Sequence, residues 1–247
     1  MKKAVMLIND TTYAFNLRGA IIEKLVQESF EVVIVGQLLK HQDKLKVMGA
    51  RLIGVETGRH GTNPFSDLQL MHTYKRILKA EKPDVVLTYN IKPNVYGGMA
   101  CQQLRIPYLP NVTGLGTPVE NPGRDRYKMG VAGGACVFFQ NNDNRKFFEQ
   151  HNMLKSGART RVLPGSGVDL VKHPVLLWPE NEKVHFLFTA RVMKEKGIDL
   201  SLAAARRFAS ENVIFDVCGA CDDENYKEIL NNEKCVTYHG EQKDCLL

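Results

Sequence analysis

The chain has 247 residues, 44% of them hydrophobic and 24% charged, a balance that excludes an intrinsically disordered protein and allows one large or two smaller globular domains. Its formal net charge of +6 is modestly basic and suits phosphorylated substrates, an anionic membrane surface or nucleic acid. Nucleic acid is the least supported of the three, because the aromatic residues do not interleave with basic ones as a stacking platform requires.

The apolar run at 4–8 is too short for an export signal, and polar Asn9-Asp10-Thr11-Thr12 follows it without a small-residue cleavage site. No apolar stretch approaches the ~18 residues of a membrane span, so the sequence predicts a cytoplasmic protein. Strands rich in β-branched residues are predicted at 4–9 and 32–35, with a helix over 17–29 between them whose Ile21, Ile22, Leu25 and Val26 face inward. A weaker strand at 51–55 precedes a helix over 65–81, with Leu68, Met71, Ile77 and Leu78 inward. Pro83 closes that helix before a strand at 84–88. A helix over 93–104 leads into a strand at 107–111. Arg124, Arg126 and Lys128 precede a further helix, and a strand at 135–139 and a helix over 142–151 follow. Residues 161–163 then run into Pro164-Gly-Ser-Gly-Val-Asp169, with Pro174 and Pro179 close behind, which reads as an interdomain connection. The alternation restarts with strands at 184–189, 213–217 and 235–239 and helices over 197–210 and 223–231.

Strict alternation predicts an α/β protein with parallel sheets covered on both faces, in two Rossmann-like domains. The boundaries are 1–168 for the first domain, 169–182 for a linker and 183–247 for the second, which is predicted to be incomplete because it holds only three strands and two helices. Ligands of such sheets bind at the carboxyl ends of the strands. In the first domain those ends are Asn9 onward, 88–94 and 111–116, all rich in Asn, Thr, Gly and Pro. A nicotinamide dehydrogenase is disfavoured, since no G-x-G-x-x-G follows the first strand. No metal is expected. The histidines form no cluster, and Cys218-Gly-Ala-Cys221 lacks a second pair, so Cys218 reads as a core residue ending a strand.

The segment Thr189-Ala-Arg191-Val-Met-Lys-Glu-Lys196-Gly197-Ile-Asp199 places two cations five residues apart after a strand, with a glycine where the next helix begins. A nucleotide diphosphate needs cations and helix-start N–H groups there, although a charged, solvated loop would have the same spacing. This run resembles the GR-x3-KG-x-D segment of the retaining family 4 glycosyltransferases, which have the GT-B fold. Gly165-Ser-Gly-Val-Asp169 resembles the turn joining their two domains. Asn16-Leu-Arg18-Gly19, Tyr89-Asn-Ile-Lys92-Pro93-Asn94-Val-Tyr96-Gly97 and Pro110-Asn-Val-Thr113-Gly114-Leu-Gly116 resemble the branch found in bacterial capsule, O-antigen and glycan-linked lipid assembly.

The resemblance implies transfer of a hexose from a UDP-sugar, used as co-substrate with no further cofactor, to a lipid-linked glycan. It assigns Arg191, Lys196 and Gly197 to the donor diphosphate. Loops carrying Asn16, Arg18, Gly19, Lys92, Asn94, Thr113, Gly114 and Gly116 would line the acceptor side. Arg124, Arg126 and Lys128 would meet a lipid diphosphate or the anionic inner-membrane surface, against a solvated face as the plainer reading. No catalytic residue transfers, because Asn111-Val-Thr113-Gly114 stands where many relatives carry a histidine. The family's later glutamate pair and returning helix have no counterpart before Leu247. The sequence therefore predicts a truncated donor domain and little transfer by this chain alone. The alternative is an inactive relative that binds acceptor or membrane, or one completed by a second chain.

Overall fold

A computed structural model describes residues 1–56, 64–115, 123–171, 173–177, 183–210 and 212–242. The chain divides into two compact units, Met1–Asp169 and Leu170–Leu247.

The first unit alternates β1 (Lys2–Asp10), α1 (Thr11–Gln27), β2 (Phe30–Gln37), α2 (Gln42–Val47), β3 (Ala50–Gly54), α3 (Pro64–Glu81) and β4 (Val85–Tyr89). A π-helical turn over Pro93–Gly97 then runs directly into α4 (Gly98–Leu104). After it come β5 (Tyr108–Val112), α5 (Gly123–Val131), β6 (Val137–Phe139), α6 (Asn142–Gln150) and β7 (Thr160–Val162). The seven strands form one sheet of order β3-β2-β1-β4-β5-β6-β7, and every neighbouring pair is parallel.

Strand β1 shows why the sheet lies at the centre, since side chains alternate across it. Val5 and Leu7 join Val33, Val35, Tyr74 and Leu78 in one core, whereas Met6 and Ile8 join Ile34, Ala14, Ile22 and Leu45 in the other. A third cluster gathers Val112, Val137 and Phe139 with Tyr127 of α5 and Phe148 of α6. Glycine is required where α4 meets α5. A Cβ on Gly98 would lie 2.0 Å from the Gly130 carbonyl oxygen, and one on Gly130 would lie 2.4 Å from Val95 Cα.

The predicted alternation is present, with local differences. Helix α1 starts at Thr11, six residues before the predicted Leu17, because Asp10 caps it by accepting a 2.8 Å hydrogen bond from the Tyr13 N–H. The short helix α2 and the three-residue strand β7 carry too little periodicity to be seen in sequence. Arg124, Arg126 and Lys128 lie inside α5 rather than ahead of it.

The second unit holds β8 (Val184–Thr189), a single 3-10 turn over Lys194–Lys196, α7 (Ile198–Phe208), β9 (Val213–Cys218), α8 (Glu224–Asn232) and β10 (Thr237–Gly240). Its parallel sheet has the order β10-β9-β8. Ile198 and Leu202 of α7 and Leu230 of α8 pack with Val217 and Cys221 to form its core. Cys218 is the last residue of β9 and is buried, as expected of a core residue ending a strand.

Candidate functional site

The carboxyl edge of the seven-stranded sheet carries the first group of candidate residues. Because Asp10 starts α1 early, residues 16–19 lie within a helix and not in the predicted loop. Asn16 is exposed. Gly19 is half-buried, and a Cβ there would meet only Met48 Cε at 3.7 Å, so packing does not demand glycine.

Arg18 points inward instead, on the stripe formed by Thr11, Ala14 and Ile22. It is 4% exposed. Its guanidinium carbon lies 4.6 Å from the centroid of Tyr89 and 5.7 Å from that of Tyr13. Nη1 donates a 2.8 Å hydrogen bond to Ser166 Oγ, while Nε is buried without a partner. A cavity of about 310 Å³ opens beside it, lined also by Ile21, Asn111, Phe138, Gln140, Leu163 and Ser166. Ser166 sits between Gly165 and Gly167, whose φ values of 79° and 73° bend the chain after β7. Sequence reasoning missed Tyr89, Gln140 and Ser166 as neighbours of Arg18. The available signal was the placement of an arginine on the apolar stripe of α1, hidden by starting that helix at Leu17.

Lys92, expected to face an open cleft, precedes the π-helical turn and pairs with Asp67 at 3.4 Å. Asp67 is itself buried and accepts a 2.7 Å hydrogen bond from the Tyr96 hydroxyl. Burial, reinforced by that carboxylate, pushes the Tyr96 phenol up to about 12. Asn94 is fully buried and its side chain is engaged by protein. It accepts from Thr88 Oγ1 at 2.6 Å and donates to the Asn111 carbonyl at 2.9 Å, joining β4 to β5. Tyr127 of α5 lies 3.4 Å away. The expectation that Asn94 lines the cleft is thus replaced by a buried tie. Thr113 and Gly114 are half-buried just after β5, and Gly114 is neither crowded nor at positive φ. Gly116 lies outside the described residues.

In the second unit, Arg191, Lys196 and Gly197 all lie in the segment that connects β8 to α7. Backbone bonds from Ala190 to Cys218 (3.2 Å) and from Val192 to Ala220 (2.9 Å) pin the start of that segment against the end of β9. Gly197 is the N-cap of α7 with φ of 84°, a left-handed conformation that glycine adopts without strain, and it offers no side-chain cap. The N–H groups of the first turn of α7 therefore receive no side-chain acceptor from the N-cap residue. Arg191 and Lys196 are both exposed. Asp199 accepts a 3.0 Å hydrogen bond from Tyr226, which ties α7 to α8.

On β9, Asp216 lies between His185 Nδ1 (2.8 Å) and His239 Nε2 (2.7 Å). Burial alone would raise its carboxyl, but hydrogen bonds from His239 and His185 hold it below the usual carboxylate range. Among the described residues no group of three His, Cys, Asp or Glu side chains stands where it could hold a metal. No helix among them is long and apolar enough to cross a membrane.

A parallel seven-stranded sheet followed by a second, smaller parallel sheet makes this an α/β protein of the GT-B glycosyltransferase fold. Residues 4–140 match the model of the glycosyl transferase 4-like family, and the chain belongs to that family. It is 24% identical over 202 residues to the N,N'-diacetylbacillosaminyl-diphospho-undecaprenol alpha-1,3-N-acetylgalactosaminyltransferase of Campylobacter jejuni. The match takes in 77% of this chain and 53% of that protein, so the chain spans about half the length of its curated relative. Among solved structures, MnaA of S. aureus in complex with UDP is similar with a TM-score of 0.70 at 15% identity, covering 98% of this chain and 69% of that one. The sucrose-phosphate synthase of Thermosynechococcus elongatus is similar with a TM-score of 0.70 at 13% identity, covering 98% and 71%.

Proposed function

We propose that this chain serves a retaining glycosyltransferase that moves a hexose from a UDP-sugar to a lipid-linked glycan in bacterial surface polysaccharide synthesis. In the reaction the bond from the sugar C1 to the diphosphate oxygen breaks, an acceptor hydroxyl oxygen takes its place, and UDP and a proton are released. Negative charge grows on the leaving diphosphate, so cations at that position lower the barrier more than they tighten ground-state binding.

The observation that most supports this reading is the segment between β8 and α7, where Arg191 and Lys196 are exposed and the N-cap of α7 is a glycine without a capping side chain. That combination of helix-start N–H dipoles and exposed cations suits a diphosphate. The Campylobacter relative, whose named acceptor is a diphospho-undecaprenol-linked sugar, supports the acceptor class, and the MnaA complex supports UDP. The first unit would carry the acceptor at its carboxyl edge. Arg124, Arg126 and Lys128 would serve at most as a peripheral contact with anionic lipid.

Calorimetric titration of the full chain with UDP tests the donor side. Arg191→Glu is expected to weaken binding by about tenfold or more, the value of one charge-assisted hydrogen bond. Unchanged UDP affinity in that variant would sink the assignment. On the acceptor side, incubation of the chain with UDP-hexoses and a prenyl-diphosphate-linked sugar, read by mass spectrometry for the added hexose, measures transfer directly: the sequence predicts little extended product from this chain by itself, and efficient multiple-turnover transfer would overturn that expectation.

A further inference from the structure

Arg18 is a charged side chain almost wholly removed from water that no carboxylate neutralises among the described residues. Of its five N–H donors, one is used, on the neutral hydroxyl of Ser166. The Tyr89 and Tyr13 rings offset part of the charge, but a π face is a weak substitute for an anion. Buried arginines are ordinarily paired, because an uncompensated charge in a low-dielectric setting is costly. Here the compensation is missing at the wall of a cavity of about 310 Å³, near the lower end of small-molecule pockets (~300–1,000 Å³). The other walls are of two kinds. Ser166, Gln140 and Asn111 supply polar groups, whereas Ile21, Phe138 and Leu163 supply apolar surface. A pocket with one cation and a largely apolar lining suits an amphiphile whose head is anionic and whose next atoms are hydrocarbon.

We infer that this cavity is an anion subsite of the acceptor: Arg18 binds the phosphate group of a prenyl-linked diphosphate, and the apolar wall receives the first carbons of its chain. The inference rests on the acceptor reading proposed above and adds the residue and the chemical group. Ser166 is a positioning residue that holds the guanidinium by one edge and leaves its remaining donors for the phosphate. Phosphate could equally come from a free anion, and the hydrocarbon attached to it distinguishes the two sources.

The test is calorimetric titration of the full chain with geranyl diphosphate, inorganic pyrophosphate and geraniol. It is run in an Arg191→Glu, Lys196→Glu background so that the two cations assigned to the donor diphosphate do not contribute. Geranyl diphosphate should bind most tightly, pyrophosphate at least several-fold more weakly, and geraniol without measurable heat. Arg18→Gln should lose about tenfold or more of the geranyl diphosphate affinity, and Arg18→Lys should fall between it and the parent. Circular dichroism melting establishes that each variant folds. If Arg18→Gln does not fold, the three ligands on the parent protein still decide, since geraniol binding as well as its diphosphate removes the need for a cation. Pyrophosphate binding as tightly as geranyl diphosphate overturns the lipid assignment. Geranyl diphosphate binding unchanged by Arg18→Gln overturns the role of Arg18 and leaves the acceptor reading standing. No binding of geranyl diphosphate by the parent counts against the acceptor reading itself.

Discussion

Replacing Asn94 by alanine separates a ligand contact from a structural tie. In the folded chain the Asn94 carboxamide is fully buried, accepts from Thr88 Oγ1 at 2.6 Å and donates to the Asn111 carbonyl at 2.9 Å. Truncation strands the Thr88 hydroxyl, which is also fully buried, and takes one donor from the carbonyl. Each stranded buried polar group costs about 1–3 kcal/mol, so Asn94→Ala should destabilise the first unit by about 2–5 kcal/mol. That is a large share of the ~5–15 kcal/mol that holds an ordinary domain together. Urea unfolding followed by far-UV circular dichroism reads the loss as a lower midpoint. Thr88→Val supplies the second edge of a double-mutant cycle: it leaves Asn94 Oδ1 without its donor, and combining both changes should cost less than their sum by about 1 kcal/mol or more. An Asn94→Ala cost below about 1 kcal/mol, with coupling near zero, would refute the tie and return Asn94 to the list of cleft residues.

Three further outcomes follow from the packing and the charges. Gly98→Ala should destabilise by at least about 2 kcal/mol in a thermal melt, because its Cβ would lie 2.0 Å from a backbone oxygen that α5 cannot easily withdraw. Gly19→Ala, with 3.7 Å of clearance inside a helix, should be neutral or slightly stabilising in the same melt. At the opposite edge of the sheet, Glu81 accepts from Arg51 and lies 3.0 Å from Lys3, while Glu31 lies 3.2 Å from Lys3. The hydrogen bond from Arg51, opposed by burial and helped by Lys3, holds the Glu81 carboxyl below the usual range. A depressed carboxyl contributes stability above its unfolded pKa and loses it as pH falls through the folded value. Glu81→Gln should therefore be less stable than the parent by about 1 kcal/mol or less at pH 7, and that gap should close as the pH drops below about 4. A gap that persists at low pH would show that the cluster acts through packing rather than charge.

Much of the architecture was written in local pattern. Buried runs such as Val5 to Ile8 and Val32 to Val35 could only be central strands. Helical spacing between them fixed alternation, and alternation fixed a parallel sheet with its ligand edge at the strand ends. The Lys-Gly pair at 196–197 marked a helix start, because a left-handed cap followed by a periodic apolar stripe is a local signature.

The roles of individual side chains at the edge were not local in this sense. Lys92 and Asn94 are polar residues two positions apart after a strand and look alike in sequence. One is enclosed by Thr88, Asn111 and Tyr127, and the other pairs with Asp67 twenty-five positions earlier in the chain. Arg18 shows the same divide most sharply. Its place on α1 is set by Asp10, eight residues away, but its surroundings come from Tyr89 and Ser166, which only closure of the sheet brings near. The sequence by itself determined the fold class, because burial periodicity is a property of neighbours along the chain. The tertiary structure decided which polar residues are ties and which are left with unmet charge, because hydrogen-bond satisfaction depends on partners contributed by distant elements.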